Sequence, residues 1–177
     1  DKLVTGVQTC ALPILDVYGK DKANRIGPIA SMIKNGIMPT AESEVNVETG
    51  TGPTYFAHQI HFLTRKNSKG NPVAPEEAVD RVQLMKMMTT WASHFTMKED
   101  ISGSLEPGKY ADFVILSKDY FTIPEGEITS AIPLATFLNG KESVLRKELA
   151  DEWGVQPIGP QLNFKFATEF ASGGGEG

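Results

Sequence analysis

The chain has 177 residues with 17 basic and 22 acidic side chains, a net charge of −5, and it is 40% hydrophobic and 22% charged. That is the composition of a globular chain able to bury a sizeable core, with length for one ordinary domain or two small ones. The mild acidity excludes the basic footprint of a nucleic-acid binder and the Lys/Arg-rich face of an anionic-membrane binder, and no apolar run is long enough to span a bilayer.

In chain order, residues 4–14 resemble a common sequencing adaptor translated in one frame. Residues 1–14 are therefore expected to be foreign to the native protein, as in a metagenomic reading frame that starts inside a gene, with native sequence from about Leu15. The single cysteine, Cys10, falls in this stretch; a lone cysteine makes no internal disulfide, and no Cys/His spacing suggests a zinc site. With the true N-terminus expected to be missing, the compartment is open between cytoplasmic and exported for a soluble chain, and the oligomeric state is open too.

Residues 21–35 read as one helix, with Ile26, Ile29, Ala30 and Ile33 at helical spacing and Lys34-Asn35-Gly36 as its stop. Residues 37–41 follow as a short buried strand, the αβ step of an α/β fold. Residues 42–54 are a polar loop; its Gly50-Thr51-Gly52-Pro53 lacks the ending of a phosphate loop. Residues 55–64 read as a helix with Phe56, Ile60 and Leu63 on one face, and 65–75 as a turn-rich linker. Pro75-Glu76-Glu77 opens a strong helix expected to run to about His94, carrying Val79, Val82, Leu84, Met85, Met88 and Trp91. Met85 and Met88 fall at core spacing, so the methionines read as core packing, while Asp80, Arg81 and Lys86 read as a solvated face.

From Ile101 short strands alternate with turns: 113–116, 134–138 and 144–145, the last two joined at Asn139-Gly140, a hairpin signal. Residues 148–153 read as a short helix, 162–166 as an edge strand, and 171–177 as a glycine-rich disordered end. Glu106-Pro107-Gly108-Lys109 has the chemistry of a type II turn, with proline presetting its second position and glycine supplying positive φ at its third.

The run Gly103-Ser104-Leu105-Glu106-Pro107-Gly108-Lys109-Tyr110-Ala111-Asp112, followed by apolar Phe113-Val114-Ile115-Leu116, resembles the segment of amidohydrolases in which the chain leaves the catalytic barrel for a small β-sandwich. Ala135-Thr136-Phe137-Leu138-Asn139-Gly140-Lys141 is similar to that family's closing hairpin. The resemblance covers about residues 25–141 and is nearest the branch with N-acyl-amino-acid deacylases. It implies an α/β fold: the C-terminal part of a TIM-type (β/α)8 barrel over 15–100, part of a β-sandwich over 101–147, and a C-terminal extension over 148–177.

The resemblance also implies a carboxylate at the end of the eighth barrel strand, which in the family takes a proton from metal-bound water and helps hold the metal. Residues 37–41 would be that strand, and Glu44 stands where the family has aspartate, with Glu42 as the alternative. The family's other ligands, a His-X-His, a mid-barrel Lys or Glu and two later histidines, would precede this chain. A catalytic zinc needs about three protein ligands, so the chain alone is expected to be inactive and to hold no metal, while the intact parent would use a divalent metal, zinc by expectation, on a small amide substrate.

His58 and His61 lie three apart on one helix face; their spacing does not match a zincin pair, and with Arg65, part of a family-like Thr64-Arg65, they are candidates for substrate contact near the barrel mouth. His94 suits the end of a helix as a cation. Two other classes of function compete: a non-catalytic ligand- or partner-binding relative with a degraded metal site, motivated by Glu44, and an unrelated small α/β binding domain, which requires a closed core. A barrel fragment instead requires a strand without partners and an exposed apolar flank.

Overall fold

The computed structural model describes residues 19–23, 25–41, 55–66 and 70–162. Six α-helices and three strands are formed among them: α1 (Lys20–Ala23), α2 (Ile29–Lys34), α3 (Tyr55–Thr64), α4 (Arg81–Met88), α5 (Thr90–Phe95), β1 (Phe113–Leu116), β2 (Pro133–Leu138), β3 (Lys141–Leu145) and α6 (Lys147–Trp153). Short 3-10 helices cover Pro75–Glu77 and Glu125–Ser130. None of the described helices is long and apolar enough to cross a membrane.

Two expected helices are each broken, for local reasons. The helix expected over 21–35 divides at Gly27-Pro28: Gly27 has φ +58°, and α2 starts afresh after Pro28. Proline lacks an N–H and is at home only at a helix start. The helix expected from Pro75 to His94 divides twice. Its first turn ends at Glu77, and Asp80 then begins α4 with a capping box, its side chain accepting from Gln83 N at 2.7 Å while Gln83 Oε1 accepts from Asp80 N at 2.9 Å. A second break falls at Thr89, whose hydroxyl turns back onto Met85 O at 2.7 Å. The restart shifts the buried stripe: Leu84 and Met87 are the fully buried side chains of α4, Met85 and Met88 pack at their edge, and Val82 is exposed.

Residues 37–41 do not form the expected strand. Their backbone is irregular, Ile37 and Met38 are 50% and 42% exposed, and Ala41 N donates to Met87 O at 3.2 Å at the end of α4. A strand exists only as part of a ladder, and no described strand lies beside this segment to form one.

The main core joins α3 and α4 to the connection between β1 and β2: Phe56, Leu63, Leu84 and Met87 pack with Tyr120, Ile128 and Ala131. The Phe56 and Tyr120 rings stack at 4.9 Å between centroids. Residues 120–131 thus sit with the helices in space although they follow residue 100 in sequence. A second, smaller core lies between the sheet and α6, built from Ala135, Leu145, Leu149 and Ala150. The sheet is an antiparallel meander, β1-β2-β3. Its hairpin turn has Asn139 at φ +51° and Gly140 at φ +72°, the two positive values of a type I′ turn.

The two family-like motifs meet at this turn. Asp112 Oδ1 accepts from Asn139 N at 2.6 Å, and Ala111 O accepts from Gly140 N at 2.9 Å. The Glu106–Lys109 turn closes with Lys109 N donating to Glu106 O at 3.1 Å, and Gly108 has φ +95°. Upstream, Gly103 (φ +88°) lies against α5, where an added Cβ would stand 2.5 Å from Ser93 Cβ. Gly103→Ala is therefore expected to cost about 2–3 kcal/mol, from overpacking and from positive φ together. A urea titration of both chains measures it; an unchanged midpoint would show that α5 gives way freely.

Candidate functional site

The segment that leads to the candidate carboxylates is anchored on both sides. Upstream, Ser31 in the first turn of α2 donates its N–H to Glu77 Oε2 at 2.8 Å and its hydroxyl to Glu77 Oε1. Downstream, Ala41 is tied to the end of α4 and is 6% exposed. Glu42 and Glu44 follow directly and lie outside the described residues.

Helix α3 carries His58 and His61. The side chain of His58 also lies outside what is described. His61 is half-buried, its ring tilted on Phe62 at 4.0 Å. At the C-terminal end of α3, Arg65 takes a left-handed backbone (φ +49°) and turns its side chain inward, where it is 6% exposed. Its guanidinium donates to four main-chain carbonyls: Val73 O at 3.1 Å, Ala74 O at 3.3 Å, Gly27 O at 3.3 Å and Ile26 O at 3.0 Å. Burial lowers its pKa, opposed by the charges of Glu77 and Glu76. The geometry thus gives Arg65 the work of clamping the start of α2, the end of α3 and residues 73–74 together, with its donors directed at main chain.

Glu77 completes this brace. It is 8% exposed, and the two Ser31 hydrogen bonds, with a smaller contribution from Arg65, hold its carboxyl below the ordinary value of 4.5 against the opposing effect of burial. A carboxylate whose pKa is depressed on folding stabilises the fold above its unfolded pKa, and that stability is lost as pH falls through the folded value. The melting temperature should therefore fall below about pH 4.5, and Glu77→Gln should lower it at pH 7 while flattening that acid limb. Parallel melting curves of the two chains at acid and neutral pH read the effect directly; a limb of equal steepness in both would place the titrating group elsewhere.

Sequence reasoning passed over Glu77 and Asp80 as functional parts of the fold. Asp80-x-x-Gln83 was readable as a capping box. The Ser31–Glu77 bond spans 46 residues and left no local signal. His94 is exposed at the end of α5, with Nδ1 3.1 Å from Glu99 Oε1.

Among the described residues no group of three or more His, Cys, Asp or Glu is placed to hold a metal. The described side chains do not fit such an ion, and what they build is a scaffold that fixes both ends of the path into 42–54.

Comparison with known proteins adds the following. The amidohydrolase family model matches residues 3–144, a span that also takes in the adaptor-like residues. An N-substituted formamide deformylase from Arthrobacter pascens is 28% identical over 126 residues, covering 70% of this chain and 22% of that protein. This chain thus spans about a fifth of the length of that curated relative. The crystal structure of an amidohydrolase from Thermotoga maritima aligns with 78% of this chain and 41% of its own, at 18% identity and a TM-score of 0.34, too low to bear on the fold.

Proposed function

We propose, from the premise that this chain belongs to the amidohydrolase family, that it is the C-terminal share of a metal-dependent hydrolase of carbon–nitrogen bonds in small amides. The observation that carries the reading is the family match over residues 3–144, supported by the likeness to an N-substituted formamide deformylase. In this reading the helices up to α5 close a (β/α)8 barrel, and the β1-β2-β3 meander is part of a β-sandwich. Residues 37–41, irregular by themselves, take the place of the last barrel strand in this reading, and the exposure of Ile37 and Met38 supports it. The unrelated small α/β domain is set aside by the family match.

Glu44 serves as the catalytic carboxylate at the end of that strand, with Glu42 as the alternative, and both follow directly from the anchored Ala41. His58 and His61 of α3 are the candidates for substrate contact, and Arg65 contributes by holding the frame. The metal, zinc by preference, is held by residues outside the described ones. Substrates of the class cleaved by the relative, N-substituted formamides, and acyl-amino acids are the first to try.

A second reading, a non-catalytic relative, is favoured by one feature: glutamate stands where the family pattern has aspartate. The coding sequence upstream of Leu15 separates the two. A His-X-His followed by two later histidines is expected for the hydrolase, and a native upstream sequence lacking them leaves only the non-catalytic reading.

A further inference from the structure

Between β1 and β2 the chain leaves the sheet and returns. The neck of this excursion is closed by Ser117 N donating to Ile132 O at 2.9 Å and Ile132 N donating to Ser117 Oγ at 3.1 Å. Just past the neck, the Asp119 carboxylate fixes a turn, accepting from Phe121 N at 2.9 Å and from the Thr122 hydroxyl at 2.8 Å. The turn drives Tyr120 inward: it is 2% exposed, while its chain neighbours Asp119 and Phe121 lie at the surface. There Tyr120 is gripped from two sides. Its ring stacks on Phe56 in the first turn of α3, with 4.9 Å between centroids and 22° between planes. Its polar atoms are tied to the start of α4, where Arg81 Nη1 donates to Tyr120 O at 2.9 Å and the Tyr120 hydroxyl donates to Arg81 O at 3.3 Å.

The two grips matter because of what α3 carries on its other side. Phe56, Gln59 and Leu63 are buried, at the spacings of three and four that make one stripe along a helix. At 3.6 residues per turn, His61 falls roughly 170° round the helix from the middle of that stripe. Whatever fixes the stripe therefore fixes where the His61 face points. A close-packed interior leaves a helix one rotational setting, and a stacked aromatic pair is sensitive to both sliding and rotation. We infer that Tyr120 is a positioning residue: by gripping Phe56 and Arg81 together it sets α3 against α4, and so presents the His61 face of α3 to substrate. The presentation to substrate rests on the hydrolase reading proposed above; the setting of α3 does not.

In the complete protein, Tyr120→Leu is compared with Tyr120→Phe, which keeps the ring, and with Leu149→Ala, which weakens the second core away from α3. Amine release from an N-substituted formamide gives kcat and KM, and hydrogen exchange is read over residues 60–64, well below the melting temperature of each variant. Tyr120→Leu should raise KM about tenfold or more and change kcat less, because the stack places substrate contacts and not the reacting groups. Exchange over 60–64 should be about tenfold faster. Tyr120→Phe should stay within about twofold of the unaltered protein in both readings, since the stack survives. Leu149→Ala should melt earlier with KM and α3 exchange unchanged. Should Tyr120→Leu fail to fold, Phe56→Leu removes the same stack from the α3 side and decides by the same readings. Unchanged KM in Tyr120→Leu overturns the inference, with or without faster exchange, as does a KM rise that Tyr120→Phe or Leu149→Ala reproduces. A complete protein that releases no amine refutes the hydrolase reading instead, and exchange over 60–64 then still decides whether Tyr120 sets α3.

Discussion

Glu44→Gln, placed in the complete hydrolase, is expected to lower kcat/KM for amide cleavage by about 10²- to 10⁴-fold, the range over which a positioned general base contributes. Glutamine keeps the size and polarity of the side chain but cannot take a proton from the attacking water. Binding of substrate should change far less, so the loss should appear in kcat more than in KM. Glu42→Gln in the same protein tests the alternative: a small effect there with a large one at Glu44 fixes the role on Glu44, and the reverse moves it. Glu44→Asp restores the family's residue and is expected to leave activity at least at its original level. A Glu44→Gln enzyme that turns over normally would remove both the site and the reason to place it at the end of residues 37–41.

The second large effect is on stability. Arg65→Met should cost about 3–5 kcal/mol, read as the shift in the urea midpoint. Methionine fills much of the same volume, but the carbonyls of Ile26, Gly27, Val73 and Ala74 lose their guanidinium donors, and Glu77 loses a neighbouring cation. Gly27 O and Ala74 O keep the main-chain donors Ile29 N and Glu77 N, so the cost falls chiefly on Ile26 O and Val73 O, since an acceptor left without a donor carries a desolvation cost that no apolar contact offsets. Arg65→Lys keeps the charge on one ammonium point and cannot span three segments with a fork, so it should recover less than half the loss. A loss below about 1 kcal/mol in Arg65→Met would mean that water replaces the clamp without penalty and that the brace is incidental.

What was legible in the sequence was chiefly what neighbouring residues decide. The Pro107-Gly108 turn, the Asn139-Gly140 hairpin, strand β1 and helix α3 follow from local rotamer, φ and periodicity preferences, and all four are present. The long helices were over-extended because apolar spacing ran on through Gly27-Pro28 and Asp80, where backbone freedom and capping set the boundaries instead. Residues 37–41 have the composition of a strand, yet strand formation depends on a partner that no local pattern supplies. The brace of Arg65, Glu77 and Ser31 joins residues up to 46 positions apart, so each read as an ordinary polar residue until the fold brought them together. The contact of Asp112 with Asn139 is of the same kind: both motifs were visible, their junction was not. Of the site itself, the sequence offered Glu44, Glu42, His58, His61 and Arg65, and the structure describes the surroundings of His61 and Arg65.

The central claim is tested most directly by amine release from an N-substituted formamide, followed with the complete gene product and with the 177-residue chain side by side. Release of amine and formate in equal amounts by the complete protein, and none by the 177-residue chain, is the predicted result. Absence of release by a folded, metal-supplied complete protein, from this substrate and from N-acyl-amino acids alike, would contradict it.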